Sequence, residues 1–178
     1  MADQAQKKRI ALFGSTGSIG TQALEVIRAN PDHFEVERLT AQSNDELLIT
    51  QALEFRPNAV VIGDETRYQK LKAALGSTDI KVFSGEAALE EVADFDTYDM
   101  MLAGIVGFAG LKPTLKAVEE GNAIAQAHKN TLEFEGNNVM HTAAQNKSPI
   151  IPVAIEQSTH IKSQPVQKTK PMKKPILQ

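Results

Sequence analysis

Hydrophobic and polar positions follow two rhythms along the chain: short apolar runs, and longer stretches with an apolar residue at every third or fourth position. The first run, 10–13, is typical of a buried strand, and the spacing from Ser18 onward is that of an amphipathic helix. The same succession recurs five more times and ends on a last strand. We predict strands at 10–13, 34–40, 59–62, 80–83, 99–103, 122–127 and 149–153, with helices at 18–30, 45–55, 64–75, 87–92, 111–119 and 131–145.

Strands that alternate with helices in this way predict a parallel sheet covered on both faces. We therefore expect an α/β fold: a Rossmann-like, doubly wound, mostly parallel sheet with helices on both faces. The expected boundaries are a flexible N-terminus at 1–8, one nucleotide-binding domain at 9–154, and a flexible basic tail at 155–178. No acidic residue follows Glu156, whereas lysines and prolines are frequent there. The tail is open to two interpretations, an anion-binding arm or a disordered or artificially added end.

Composition excludes several classes of protein. The 178 residues include no cysteine, which rules out disulfides and thiolate metal sites and fits a reducing compartment. A net charge of −3 gives no reason to expect a nucleic-acid partner. The polar N-terminus resembles no signal segment, and no apolar run approaches membrane-spanning length. We expect a cytoplasmic protein without a membrane partner.

The strongest candidate for chemistry is the glycine series Gly14, Gly17 and Gly20, which lies between the first strand and the first helix. In a dinucleotide-binding turn, the first glycine permits the tight turn and the second lets the backbone approach a pyrophosphate. The third lets the helix pack closely on the strand. The phosphates would lie on free N–H groups at the helix N-terminus, where the helix dipole favours negative charge. The competing interpretation is an ordinary turn of another α/β protein.

Two further stretches bear on the cofactor. Positions 40–44 follow the second strand and carry no charge, so no carboxylate would repel the 2′-phosphate of NADP. Ser43 and Asn44 could donate hydrogen bonds to that phosphate. The small-residue loop 103–107 follows the fifth strand and is a candidate wall for the nicotinamide half, although a tight turn at close packing would have the same composition.

With these pieces in place, the region from Lys8 to Val153 resembles the N-terminal part of the 1-deoxy-D-xylulose 5-phosphate reductoisomerase family. The resemblance lies in 12–20 (Leu-Phe-Gly-Ser-Thr-Gly-Ser-Ile-Gly), in 104–115 (Gly-Ile-Val-Gly-Phe-Ala-Gly-Leu-Lys-Pro-Thr-Leu), in the frame Ala127-x-Lys129, and in Asn-Pro-Asp-His-Phe at 30–34. The resemblance implies an oxidoreductase that uses NADPH and Mg²⁺ or Mn²⁺ to isomerise and reduce a sugar phosphate to 2-C-methyl-D-erythritol 4-phosphate, in non-mevalonate isoprenoid biosynthesis. It also implies a homodimer.

The resemblance further implies roles for individual residues. Lys129 matches a catalytic lysine that contacts substrate and cofactor. In the expected metal motif the chain departs from the family, because Ala154 and Ile155 replace a metal-binding aspartate and a substrate-contacting serine, which leaves Glu156 as the one matching metal ligand. His128 and Asn130, beside Lys129, also depart from the family motif. Residues matching the family's NADPH contacts are Thr16, Gly17, Ser18 and Ile19 in the glycine turn and Ala103, Gly104, Ile105 and Val106 in the second loop.

We therefore interpret the chain as an NADPH-binding domain that is inactive by itself, whether as an engineered domain, a truncation or a decayed gene. Whether it is an enzyme stays open. Two alternatives also remain. One is a small dehydrogenase of another family, which would need a proton donor such as the pair Tyr68 and Lys72. The other is a non-catalytic nucleotide sensor or scaffold.

Overall fold

A computed structural model describes residues 6–93, 97–105, 110–126 and 139–152 of the chain. These residues include seven strands that form one sheet, and every neighbouring pair of strands is parallel. The predicted α/β Rossmann-like fold with a parallel sheet is confirmed.

The elements alternate as the sequence pattern indicates. The strands are β1 (Lys8–Phe13), β2 (Phe34–Ala41), β3 (Ala59–Ile62), β4 (Lys81–Ser84), β5 (Met100–Ala103), β6 (Ala123–Gln126) and β7 (Ile150–Pro152). The helices are α1 (Ser18–Ala29), α2 (Asp45–Phe55), α3 (Tyr68–Leu75), α4 (Glu86–Ala93), α5 (Leu111–Glu119) and α6 (139–145).

Several predicted boundaries differ from the observed ones by a few residues, most clearly at the first strand and the third helix. β1 begins at Lys8, one residue before the predicted start of the domain. The third helix does not start at Asp64, because the Asp64 carboxylate accepts a hydrogen bond from the backbone N–H of Thr66 at 3.0 Å and a short 3₁₀ turn at Glu65–Arg67 comes first. Residues 131–138 of the predicted helix 131–145, and the predicted tail 155–178, lie outside the described residues.

Alternate side chains of β1 enter two separate cores, as the pleat of a strand requires. Ile10 and Leu12 pack in a core with residues of α1, α2 and α3, whereas Ala11 and Phe13 pack with residues of α4, α5 and α6. The helices therefore divide between the two faces of the sheet. Burial on both faces explains why β1 reads as a continuous apolar run rather than an alternating one.

The strand order β4-β3-β2-β1-β5-β6-β7 reverses direction at β1. The chain builds outward from β1 to β4 on one side, and then returns to add β5, β6 and β7 on the other. In such sheets, ligands bind in the crevice outside the carboxyl ends of the strands at the reversal point. The fold therefore directs attention to the loops that follow β1 and β5. Among the helices of the described segments, none is both long and apolar enough to span a bilayer.

At the amino ends of the strands, away from the loops that follow β1 and β5, an ion pair joins the start of β1 to the start of β5. The Asp99 carboxylate accepts hydrogen bonds from the backbone N–H of Arg9 at 2.8 Å and from its Nη2 at 3.0 Å. The hydrogen bond from the Arg9 side chain is the main reason that the pKa of Asp99 lies below its ordinary value of 3.8. Both side chains are about one-third exposed, so solvent screens much of this attraction.

We predict that Asp99→Asn lowers the free energy of unfolding at neutral pH by about 0.5 kcal/mol, the scale of an exposed ion pair. Because the folded pKa is depressed, this stabilisation is present above the unfolded pKa and is lost as the pH falls through the folded pKa. Urea denaturation between about pH 7 and pH 2.5 should show the two proteins converging in acid. A difference that stays constant across that range would contradict the assignment.

Candidate functional site

The turn after β1 has a backbone shape that its glycines make possible. Gly14 has a φ of +82°, in the left-handed region that side chains disfavour. Gly20 lies against the turn itself, and a Cβ atom on Gly20 would approach the carbonyl oxygen of Gly14 to 2.2 Å and Cα of Ser15 to 2.6 Å. The first and third glycines of the series are therefore required by the fold, as their spacing predicts.

Gly17 differs from its two neighbours in the series. It is exposed at the N-cap of α1 with a φ of −77°, which any residue can adopt. A Cβ atom there would meet the carbonyl oxygen of Gly14 at 3.5 Å, an ordinary contact, and otherwise open space among the described residues. Contacts within the described part of the protein thus do not require a glycine at position 17. A ligand lying close to this backbone would require one.

The N-terminus of α1 is electrostatically suited to an anion. Gly17 is the N-cap residue, so no side chain at this position bonds the first N–H groups of α1, and the first turn contains no acidic residue. The first N–H groups of a helix lack partners within the helix, and the helix dipole places partial positive charge there. Together with the open space at Gly17, this end of α1 can receive a phosphate through backbone donors alone.

The loop after β5 lies directly against the glycine turn. The N–H of Gly104 donates to the carbonyl oxygen of Phe13 at 2.8 Å, which extends the β1–β5 pairing by one bond. A Cβ atom on Gly14 would come within 3.0 Å of the carbonyl carbon of Gly104 and 3.2 Å of the N of Ile105. Ala103 is buried beside Phe13 in the sheet register. The structure therefore brings together the two loops that the sequence marks as cofactor contacts.

A buried network fixes the turn from the β2 side. Ser15 is fully buried: its Oγ donates to Oε1 of Gln51 at 2.7 Å, and its carbonyl oxygen accepts from Nε2 of Gln51 at 2.9 Å. The Ser15 N–H donates to the Thr40 carbonyl oxygen at 2.8 Å, and the Gly14 N–H donates to the Thr40 Oγ1 at 3.0 Å. The N–H, carbonyl and hydroxyl groups of Ser15 are thus all bonded within the protein. Donors for a ligand must come from the outer residues of the turn.

The sequence reasoning missed Gln51 and Thr40. A signal for Gln51 was present, because it shares one face of α2 with the buried residues Leu48 and Ala52. A polar side chain on an apolar face requires a buried partner. For Thr40, the strand pattern alone could not distinguish a β-branched core residue from a hydrogen-bond acceptor.

Residues 42–44, which follow β2 and are called the rim below, present polar groups beside the glycine turn. They lie there because β1 and β2 are parallel neighbours. Ser43 is exposed, and Asn44 caps α2 by accepting a hydrogen bond from the N–H of Leu47 at 3.1 Å. The next residue, Asp45, is acidic, but its carboxylate is buried and lies 2.7 Å from Nζ of Lys70 and 3.4 Å from Nη1 of Arg67. The hydrogen bond from Lys70 holds the pKa of Asp45 below its ordinary value. Glu46, which follows, is exposed, and its Oε1 lies 3.0 Å from the same Nζ of Lys70. Both carboxylates at the start of α2 are thus paired with cations.

Three predicted site residues, Val106, Lys129 and Glu156, lie outside the described residues. Within the described ranges, no group of three or more histidine, aspartate or glutamate side chains is placed to share a metal ion. The alternative proton-donor pair is described: Nζ of Lys72 lies over the face of the Tyr68 ring, 5.4 Å from its centroid, on α3. α3 covers the sheet near β4, an edge strand that lies three strands away from β1.

Comparison with known proteins agrees with this architecture. A family model described as 1-deoxy-D-xylulose 5-phosphate reductoisomerase matches residues 10–136, which is well over half of the chain. The chain belongs to this family. The reductoisomerase of Bacteroides fragilis is 47% identical over 156 residues, covering 88% of this chain and 40% of the relative. That of Crocosphaera subtropica is 42% identical over 153 residues, covering 85% of this chain and 38% of the relative.

Solved reductoisomerase structures superpose well on this chain. The enzyme of Zymomonas mobilis in complex with NADPH has a TM-score of 0.79 at 33% identity, covering 83% of this chain and 38% of that one. A reductoisomerase in complex with NADPH, fosmidomycin and magnesium has a TM-score of 0.77 at 33% identity, covering 82% and 36%. The chain therefore spans about two-fifths of the length of the reductoisomerases that it matches.

The close approach of Gly20 to the turn generates a stability prediction. Gly20→Ala should destabilise the domain by about 3 kcal/mol, because backbone atoms of residues 14 and 15 must move to admit the methyl group. Gly17→Ala, three positions earlier, should change the free energy of unfolding by less than about 1 kcal/mol. Urea denaturation of both variants tests this contrast. Equal losses would show that the turn and α1 are not packed as described.

Proposed function

We propose that this domain binds NADPH across the edge where the loops after β1 and β5 meet. The observation that carries the proposal is the contact between Gly14 and Gly104, which joins both predicted cofactor loops beside the uncapped N-terminus of α1. The proposal is supported by the NADPH complex of the reductoisomerase from Zymomonas mobilis, which superposes on most of this chain.

In this proposal the backbone of the glycine turn receives the pyrophosphate. The N–H groups of Ser18 and Ile19 at the start of α1 donate to it, Thr16 adds its hydroxyl, and Gly17 leaves room for the close approach. On the other side of the reversal point, Ala103, Gly104 and Ile105 are the proposed wall for the nicotinamide, and Val106, outside the described residues, is a further predicted contact. When bound, NADPH would supply a hydride; these residues hold and orient it.

We propose a preference for NADPH over NADH because the rim after β2, residues 42–44, includes no carboxylate. A site that selects NADH commonly holds the ribose hydroxyls with an acid at this position. Here Asp45 faces inward and is paired with Lys70 and Arg67, whereas Ser43 and Asn44 stand nearest the rim. The Ser43 hydroxyl and the Nδ2 of Asn44 are the donors proposed for the 2′-phosphate, since Asn44 uses its Oδ1 for the helix cap.

The wider activity of the family is also proposed here only as far as the chain's residues support it. In a reductoisomerase of full length, Lys129 would contact substrate and cofactor, and Glu156 would be one ligand to Mg²⁺ or Mn²⁺. Ala154 and Ile155 cannot ligate a metal or bind a sugar phosphate through their side chains. We therefore propose cofactor binding without turnover for this chain by itself. A cytoplasmic location and the family's homodimer are parts of the same proposal, and the absence of cysteine fits the former.

The proposal predicts saturable binding of NADPH to the purified chain, tighter than NADH by about tenfold or more. The measurement is reduced-nicotinamide fluorescence or calorimetry, at one salt concentration for both cofactors because phosphate contacts are screened by ions. A folded protein that binds neither cofactor would contradict the proposal and favour a scaffold that has kept only the fold.

Gly17→Ala tests whether the glycine at position 17 is required for NADPH binding and not for folding. The variant should fold normally but bind NADPH about tenfold or more weakly, because the new methyl group occupies the space proposed for the pyrophosphate. Gly76→Ala, at the C-cap of α3, is the matched control and should leave NADPH affinity unchanged. Unaltered affinity in Gly17→Ala would show that the phosphate does not lie on this turn.

A further inference from the structure

The side chain of Gln51 makes two hydrogen bonds to one residue of the glycine turn. Its Oε1 accepts from the hydroxyl of Ser15 at 2.7 Å, and its Nε2 donates to the carbonyl oxygen of Ser15 at 2.9 Å. Both residues are buried, with exposures of 5% for Gln51 and 0% for Ser15. Paired buried bonds in this geometry fix the orientation of the peptide unit between residues 15 and 16.

Gln51 also belongs to α2, the helix that begins directly after the rim proposed to bind the 2′-phosphate. Asn44 caps the N-terminus of α2, and Gln51 lies seven residues further along, about 10 Å at the rise of an α-helix. A single side chain thus connects the turn proposed for the pyrophosphate with the helix whose first residues lie at the proposed 2′-phosphate rim. Because the helix is rigid, the bond pair contributes to the distance between the two, together with the hydrogen bonds that the backbone N–H groups of Gly14 and Ser15 donate to Thr40.

We propose that Gln51 is a positioning residue for the dinucleotide: through Ser15, it holds the pyrophosphate turn at a fixed distance and orientation from the rim at the start of α2. This inference rests on the proposed NADPH site and goes beyond it, since the buried Gln51 would act through Ser15 and not by contact with the ligand. The consequence is specific: loss of Gln51 weakens a ligand that must reach both places, and spares a ligand that uses only the rim.

The test compares two ligands on one variant. Gln51→Met keeps a side chain of similar length and removes both bonds, so NADPH should bind about tenfold more weakly. Adenosine 2′-monophosphate has the adenine, the ribose and the 2′-phosphate but no pyrophosphate, and its affinity, read by NMR titration, should change by less than about twofold. Ser15→Ala loses only the hydroxyl bond and should lie between the unaltered chain and Gln51→Met.

A destabilised control excludes a general effect on folding. Leu75→Val creates a small cavity in the buried end of α3, away from the turn, and should cost stability without changing either ligand's affinity. Equal weakening of NADPH and adenosine 2′-monophosphate in Gln51→Met would overturn the positioning role, as would NADPH affinity within about twofold of the unaltered chain.

Amide hydrogen exchange in the free protein tests the same inference without any ligand. In Gln51→Met, the amides of residues 15–17 should exchange about tenfold faster, while that of Leu12 in β1 should be unchanged. If the unaltered chain binds no NADPH, the proposed function fails, and this measurement still decides whether Gln51 holds the turn. Unchanged exchange at residues 15–17 would overturn the inference independently.

Discussion

The site depends on a backbone-to-backbone contact at the reversal point of the sheet. Gly14 and Gly104 end adjacent strands, and a Cβ atom on Gly14 would come within 3.0 Å of Gly104. The Gly104 N–H bonds to the last carbonyl oxygen of β1 at 2.8 Å. Because neither loop has a side chain at this point, the two lie close enough to form one surface. A larger residue at either position would separate the halves proposed to bind one cofactor.

Beside this contact, the polar groups of the buried Ser15 are satisfied by the protein, while backbone N–H groups at the start of α1 are left for a ligand. Ser15 is bonded on all sides to Thr40 and Gln51, so it supports the turn rather than forming its outer surface. The start of α1 has no capping side chain, and of the residues that the structure describes, only the carbonyl oxygen of Gly14 lies within 4 Å of where a Cβ atom on Gly17 would be. Buried groups that bond each other keep the turn rigid, and unbonded N–H groups at a helix N-terminus favour an anionic ligand.

The sequence was informative where the pattern had a single physical cause. Continuous apolar runs predicted the parallel sheet, and the glycine spacing with its strand and helix predicted the turn. Local patterns could not show which strands are neighbours, so the approach of Ala103 and Gly104 to the glycine turn rested on a general rule for such sheets. Nor could they show that Asp45 turns inward to Lys70, because charge at a rim position depends on side chains from another part of the chain.

Some predicted boundaries differed because short-range hydrogen bonds compete with helical periodicity. Asp64 looked like the first residue of a helix, yet its carboxylate bonds the N–H of Thr66 and delays the helix to Tyr68. Gln51 was overlooked because periodicity ranks residues by hydrophobicity, and a buried amide is read as a defect in the apolar face. Its partner, Ser15, is 36 residues away in the sequence.

The central claim, that one dinucleotide contacts both loops, is tested most directly by an NMR titration of the isotope-labelled chain with NADPH. We predict saturable shifts, with one shared dissociation constant, at the amides of residues 16–19 after β1 and of residues 104 and 105 after β5. Shifts confined to one of these loops, or found on α3 and β4 while both loops stay unperturbed, would contradict it.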